Sequence, residues 1–175
     1  ISIFDEYPNY PLAADAAFNA ASTSIQTKQW NQAAALHQAF LEAYPKHKLQ
    51  ATSRQQLILA LETLGRTQEA ADALVIQAKQ LLASDATLSA NSAYAAARYY
   101  AENGFGSLAS ESFEWLLQKH PGRVDLGVEA LAFMVDQSTP DSKDMLQVAE
   151  RLVVFVERHA LDDARSLSLA AENAL

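Results

Sequence analysis

Alanine recurs in this chain at a near-constant interval, and that interval constrains the fold more than any other feature. Ala33, Ala70, Ala109 and Ala149 lie 37, 39 and 40 residues apart. Around them the apolar residues recur at spacings of three and four, which is one face of a helix. Proline punctuates at a similar interval. Glu6-Tyr7-Pro8 and Ala43-Tyr44-Pro45 place their prolines 37 residues apart, and Lys119-His120-Pro121 is a third version. A period of about 34 to 40 residues that closes on proline is the signature of an array of helix pairs. One such pair cannot bury its apolar face alone, so the pairs must stack on one another.

Composition agrees with helices. Half of the 175 residues are apolar and alanine dominates that half. Alanine is the best helix former, and its small side chain lets helices approach closely. Five glycines and five prolines are too few for a turn-rich all-β protein. The net charge of −8, without any block of like charges, argues against nucleic acid, which needs clustered Lys and Arg to neutralise phosphates. It argues equally against an anionic membrane surface. Uncharged stretches stay well short of the roughly 18 residues that a membrane-spanning helix needs. The absence of cysteine excludes disulfides, thiolate metal sites and a thiol nucleophile. The opening Ile1-Ser2-Ile3-Phe4 reads as the last turn of a helix, so the chain is expected to be a piece of a longer array.

The spacing predicts paired helices along the chain. Residues 1–8 end a preceding repeat. Pairs then span 11–45, 49–82, 88–121 and 124–159, and 163–175 begins a further repeat. In the first pair, Leu12 to Gln26 is one helix and Lys28 to Tyr44 the other, with Trp30, Ala33, Ala34, Leu36, Phe40 and Leu41 on its apolar face. Pro11 can open the first of these helices, because proline is tolerated in a first turn. Gly65 stands where a helix C-terminus favours a left-handed residue, and Thr67 is a candidate cap for the next helix. Gly104 and Gly106 divide the third pair. In the fourth, a longer link, Asp136-Gln137-Ser138-Thr139-Pro140-Asp141, precedes a helix from Ser142 to His159. That helix carries Leu152-Val153-Val154-Phe155-Val156, apolar all round, and Asp162 or Asp163 is expected to cap the next one.

Catalytic patterns are missing. His37, His47, His120 and His159 do not pair at a zinc-ligand spacing. They are expected as a packed or half-exposed His37, two loop histidines, and His159 near a helix C-terminus. Read as a calcium loop, Asp136 to Gln147 has Asp141 where glycine is needed and Gln147 where a bidentate glutamate is needed. Gly104-Phe105-Gly106 lacks the Lys-Ser/Thr of a phosphate loop, and no Gly-x-Ser-x-Gly elbow occurs.

Lys28, Trp30, Ala33 and Pro45 fit the second half of one known type of helix-pair unit, with His37 where an aromatic is usual. Gly65, Ala70 and Leu74 fit a second unit, which lacks the closing proline. Gly104, Ala109, Phe113 and Pro121 fit a third, with Ala97 and Tyr100 in its first helix. In these residues the chain resembles the tetratricopeptide repeat family over residues 8–121, and the resemblance fades after Val124. It implies an all-α, right-handed α-α superhelix, or solenoid, of about four helix-turn-helix pairs with partial repeats at both ends.

The resemblance also implies that the first helix of each pair lines a concave groove. It places Asp15, Phe18, Ser22, Gln55, Leu59, Glu62, Tyr94, Arg98, Glu102, Glu129 and Phe133 there. A protein or peptide partner, as a helix or an extended segment, would lie in that groove. Phe18, Tyr94 and Phe133 would be its apolar anchors and the carboxylates a polar rim. The competing reading is that these aromatics pack between neighbouring helices. Acids outnumber bases on this face, which favours a basic or neutral polar partner. For a clamp on a terminal carboxylate, only Arg98 and Asn19 or Asn91 stand there.

The expected function is therefore a non-enzymatic interaction scaffold, without cofactor, metal, nucleic acid or membrane insertion. The alternative is a regulatory or substrate-recruiting module of an enzyme whose catalytic domain lies outside this segment, and self-association is a third course. The Tyr-Pro closings and Gln/Ala-rich helices also resemble bacterial envelope-associated repeat proteins. That implies a periplasmic or envelope location rather than a cytoplasmic one, within a larger bacterial assembly.

Overall fold

The computed structural model describes the backbone of residues 12–137 and 143–172, and the side chains of these except 144, 145 and 160–172. Among the described residues every regular element is an α-helix. In order these are α1 (Ala13–Gln26), α2 (Trp30–Ala43), α3 (Gln50–Thr63), α4 (Thr67–Leu81), α5 (Ala86–Glu102), α6 (Gly106–Lys119), α7 (Val124–Gln137) and α8 (Lys143–Glu172). Each packs against its neighbours in sequence, and α1 also touches α3. The Glu6-Tyr7-Pro8 phrase, Pro11 and residues 138–142 of the link before α8 lie outside the described residues.

Three turns share one geometry, and the shared geometry accounts for the period. Lys28, Gly65 and Gly104 adopt left-handed φ values of 58°, 68° and 80°. Each stands five residues before a buried alanine, Ala33, Ala70 or Ala109. Their own N–H groups donate to Ile25, Glu62 and Ala101 at 3.0, 3.0 and 3.1 Å. The next N–H groups, of Gln29, Arg66 and Phe105, reach back to Ser24, Leu61 and Tyr100 at 2.8, 2.9 and 2.8 Å. These paired bonds satisfy the carbonyls that a helix end leaves open, and they need one left-handed residue. No atom lies within 4 Å of a β-carbon built on Gly65 or Gly104. The backbone angle alone favours glycine at these two positions.

The proline closings also match. Tyr44 and His120, each before a proline, have φ/ψ of −128°/58° and −129°/54°. The following ring excludes the helical region at the preceding residue, so α2 and α6 stop there. The α4–α5 link has no proline. There Asp85 accepts a hydrogen bond from the Leu88 N–H at 2.9 Å and starts α5 at Ala86, two residues before the predicted start. Thr67 does not cap α4. It is already the first helical residue, and its hydroxyl donates to Asn103 Oδ1 at 2.8 Å.

The core is built on alanine. Ala33, Ala70 and Ala109 are each 0% exposed. Four residues after each, His37, Leu74 and Phe113 are buried as well. Buried Ala90, Ala93, Ala96 and Ala97 give α5 a smooth face on which Phe113 and Leu116 pack from one side and Ala71 and Leu74 from the other.

The fourth pair departs from the sequence expectation in two ways. Ala149 is only half-buried, so it is not a fourth anchor. Gly127 of α7 faces the Phe155 ring so closely that a β-carbon there would lie 2.5 Å from it. With Phe155 turned toward α7, Val153 two positions earlier is about 200° away around the helix, and it is 55% exposed. In addition, α8 runs unbroken to Glu172, where a new helix was expected after Asp162 or Asp163. Residues 160–172 contain neither proline nor glycine to stop it.

Candidate functional site: the odd-helix face and the grooves opposite

Side-chain hydrogen bonds join the first helices of successive pairs. The Ser22 hydroxyl on α1 donates to Gln56 Oε1 on α3 at 2.8 Å. The Tyr99 hydroxyl on α5 donates to Glu62 on α3 at 2.8 Å. The Tyr94 hydroxyl, also on α5, donates to Glu129 on α7. These partners stand 34, 37 and 35 residues apart, one period each. Tyr94 and Tyr99 are five positions apart, about 140° around the helix, so one ring serves each neighbour of α5.

The predicted residues divide into two groups. Glu62, Tyr94, Arg98, Glu102 and Glu129 form a connected polar band. In it Arg98 pairs with Glu102 at 2.8 Å, on the exposed side of α5. That bond raises the Arg98 pKa, with the Tyr94 phenol a smaller contributor. Burial, then Glu129, raises the Tyr94 pKa, while Arg98 pulls the other way. Burial, then Glu62, lifts Tyr99 to about 12. Both phenols are therefore neutral donors at physiological pH. Near the other end, Asp15 faces His47 at 3.8 Å. Gln55 is exposed, and Leu59 is 45% exposed between Gln55 and Glu62 on α3.

The second group turns inward. Phe18 meets Phe40 and His37 edge-on, with ring centroids 5.7 and 5.9 Å away. Phe133 packs on Phe113 at 5.1 Å. The competing expectation, that these rings fill the space between helices, describes both. Tyr94 does both things, since its ring lies 6.0 Å from Phe113 while its hydroxyl reaches Glu129.

Two histidines are part of the core. His37 is fully buried, with Nδ1 2.9 Å from Ser53 Oγ. Burial drives its pKa down to about 4, against a smaller opposing pull from the Gln56 side chain. His120 is a buried helix end rather than a free loop residue. Ser89 donates its only proton to the Ala78 carbonyl at 2.7 Å, so the His120 Nε2, 3.0 Å away, donates to Ser89. Burial and the Arg123 charge lower the His120 pKa.

On the other side, clefts open between successive second helices. The α2–α4 cleft has a volume of about 680 Å³ and a floor of Ala34, Ala73 and Leu57. The α4–α6 cleft is about 120 Å³, with Trp115 and Leu108 at its edge. The α6–α8 cleft is about 620 Å³ and includes Phe155 and Arg158. The sequence reading did not anticipate these clefts, nor Tyr99, nor the buried Arg54 of α3, whose Nε donates to Gln80 Oε1 at 3.1 Å. Tyr99 could have been found from its spacing of 37 residues to Glu62. Arg54 could have been found as a charge set among the apolar positions of α3.

Among the described residues no group of three or more His, Asp or Glu is placed to hold a metal ion. No described helix is long and apolar enough to cross a membrane. No family model matches the chain, and no curated protein matches it.

Proposed function

We propose that the chain is a tetratricopeptide-like, right-handed superhelical scaffold that binds a protein or peptide segment along the face formed by α1, α3, α5 and α7, without chemistry of its own. The observation that carries this reading is the set of one-period hydrogen bonds, Ser22–Gln56, Glu62–Tyr99 and Tyr94–Glu129, which joins those four helices in order. The shared geometry of the turns at Lys28, Gly65 and Gly104 supports the repeat. On this face Glu62, Glu102 and Glu129 outnumber the single Arg98, and two phenol rings lie among them. Carboxylates beside aromatic rings suit Lys and Arg side chains, through charge-assisted hydrogen bonds and cation–π contact. The partner segment is accordingly basic, and the exposed Leu59 offers it one apolar contact.

The test is a pull-down from native extract with the wild-type chain, Tyr94→Ala, and Glu129→Lys. The charge reversal sits on an exposed residue and leaves the core alone. Both substitutions should remove the same bound proteins, and Ile76→Ala on the opposite cleft should keep them. Raising the salt concentration should weaken capture. If Tyr94→Ala and Glu129→Lys both retain every partner, the odd-helix face is not the binding surface.

A further inference from the structure

One position before each left-handed residue stands the residue that ends the helix: Thr27, Leu64 and Asn103. Their backbones match, with φ/ψ of −86°/5°, −81°/−7° and −104°/11°. The turn therefore does not require asparagine at this position. Asn103 is also the one asparagine of the chain that glycine follows. That dipeptide carries a chemistry of its own. The backbone nitrogen of the following residue can attack the side-chain amide carbon, and glycine, with no β-carbon, leaves that nitrogen open. A bond forms from the Gly104 nitrogen to Asn103 Cγ, the bond from Cγ to Nδ2 breaks, and Nδ2 leaves as ammonia with the proton that Gly104 gives up. Water then opens the five-membered imide at either carbonyl, which yields aspartate or isoaspartate. In sum, one water enters and one ammonia leaves.

The folded turn opposes each part of this step. Ring closure requires the Gly104 nitrogen to eclipse the Asn103 β-carbon, a range of ψ that residues with a β-carbon avoid. At ψ of 11° the nitrogen is turned away. The Gly104 N–H is engaged by the Ala101 carbonyl at 3.1 Å. Both ends of the Asn103 amide are held as well. Its Nδ2 donates to the Tyr99 carbonyl at 2.7 Å, and its Oδ1 accepts from the Thr67 hydroxyl at 2.8 Å. A carbonyl only accepts, so Tyr99 fixes which way the amide points. Thr67 opens α4, 36 residues earlier, so half of this clamp comes from the neighbouring helix pair. Asn103 and Gly104 are exposed. Conformation, not access of water, is what holds the reaction back.

We infer that Asn103 is a self-modification site that the fold keeps latent. It remains an amide while the α5–α6 turn is docked on Thr67, and it converts to aspartate or isoaspartate when that turn opens locally. Either product weakens the closed turn. Isoaspartate adds a carbon to the main chain within the paired hydrogen bonds. Aspartate places a negative charge at the C-terminal end of α5, where the helix dipole is already negative, and an ionised carboxylate cannot donate to the Tyr99 carbonyl. The site thus keeps a permanent chemical record of opening between the second and third helix pairs. It is independent of the partner surface on the odd-helix face.

The experiment holds the full chain in mildly alkaline buffer, folded or unfolded in urea, and digests samples at intervals. Mass spectrometry follows the peptide that carries Asn103, since conversion exchanges NH for O. In urea Asn103 should convert before any other asparagine. In the folded chain it should convert at least about tenfold more slowly, the scale of a turn held by two or more hydrogen bonds. Thr67→Val keeps the shape of the side chain and removes the hydroxyl. It should speed conversion of the folded chain by about two- to tenfold, the scale of one hydrogen bond, and leave the rate in urea unchanged. Thr67→Ser, which keeps a hydroxyl, should convert as slowly as the wild type. Circular dichroism checks that the variants are folded, and if Thr67→Val is not, the wild-type comparison decides. The inference is overturned if the folded wild type converts as fast as the unfolded chain, if another asparagine converts before Asn103 in urea, or if folded Thr67→Val stays as slow as the wild type.

Discussion

In the first three helix pairs the residue four positions after the buried alanine is itself buried, as His37, Leu74 and Phe113. In the fourth pair Val153 stands four positions after Ala149 and is 55% exposed. The sequence spacing is nearly the same in all four, so spacing alone does not set the register of a helix. The partner helix does. The Phe155 ring settles over Gly127, where a side chain would block it, and this turns α8 so that Val153 and Leu146 face outward. In the first three pairs alanine plays the admitting role from the second helix. In the fourth a glycine plays it from the first.

Acid should separate the first pair from the other two most strongly, because only one of the three equivalent buried positions carries a titratable group. His37 titrates, and Leu74 and Phe113 do not. The His37 pKa is about 4 in the folded chain and about 6.5 when unfolded. Between those values the unfolded state binds a proton that the folded state excludes. Stability is therefore full above about pH 6.5 and falls as the pH drops toward 4, by about 3 kcal/mol at the lower end. His120, whose pKa is also lowered, adds a loss of the same sign. Urea unfolding at about pH 7 and about pH 4.5 measures this linkage. His37→Leu, which copies Leu74, should remove most of the difference. An undiminished loss in that variant would mean that the first pair is no more acid-sensitive than the second.

Two substitutions at matching positions test the rotated setting of α8. Ala109→Leu forces extra methylenes between fully buried helices and should cost about 1–3 kcal/mol, with a clear drop in melting temperature. Ala149→Leu, at the nominally equivalent position, should change stability by less than about 0.5 kcal/mol because that side is half open. Equal effects would restore the fourth anchor that the spacing suggested and would contradict the rotated setting of α8.

Most of the helix boundaries, the left-handed turn at Gly65 and the break at Gly104 could be read from the sequence, because periodicity, glycine and proline act locally. Three things could not. The register of α8 depends on Phe155 meeting Gly127, a contact between helices that neither residue signals alone. The inward turn of Phe18 and Phe133 depends on which neighbour each ring meets, and an aromatic at the edge of a helix face can serve either side. The pairing of the buried Arg54 with Gln80 rather than with a carboxylate, while Glu42, Glu69 and Asp72 of the same cleft bond to other partners, is a property of the assembled side chains. Of the residues expected to line a groove, Glu62, Tyr94, Arg98, Glu102 and Glu129 do come together, because residues one period apart on the first helices are neighbours across the stack.

The smallest expected effect separates the turns themselves. Lys28 holds the same left-handed conformation as Gly65 and Gly104, with φ of 58° against 68° and 80°. For a residue with a β-carbon that conformation costs about 1–2 kcal/mol, part of which glycine gives back through the greater freedom of its unfolded chain. Lys28→Gly should therefore raise stability by something under about 1 kcal/mol, and Gly65→Ala should lower it by a similar amount. Space plays no part at Gly65, since nothing lies within 4 Å of the added β-carbon. Thermal melts of the two variants measure backbone conformation alone. Opposite shifts of similar size would establish that the first and second turns are one structure made from different residues. A destabilised Lys28→Gly would mean that the lysine contributes a contact of its own and that the first turn is not equivalent to the others.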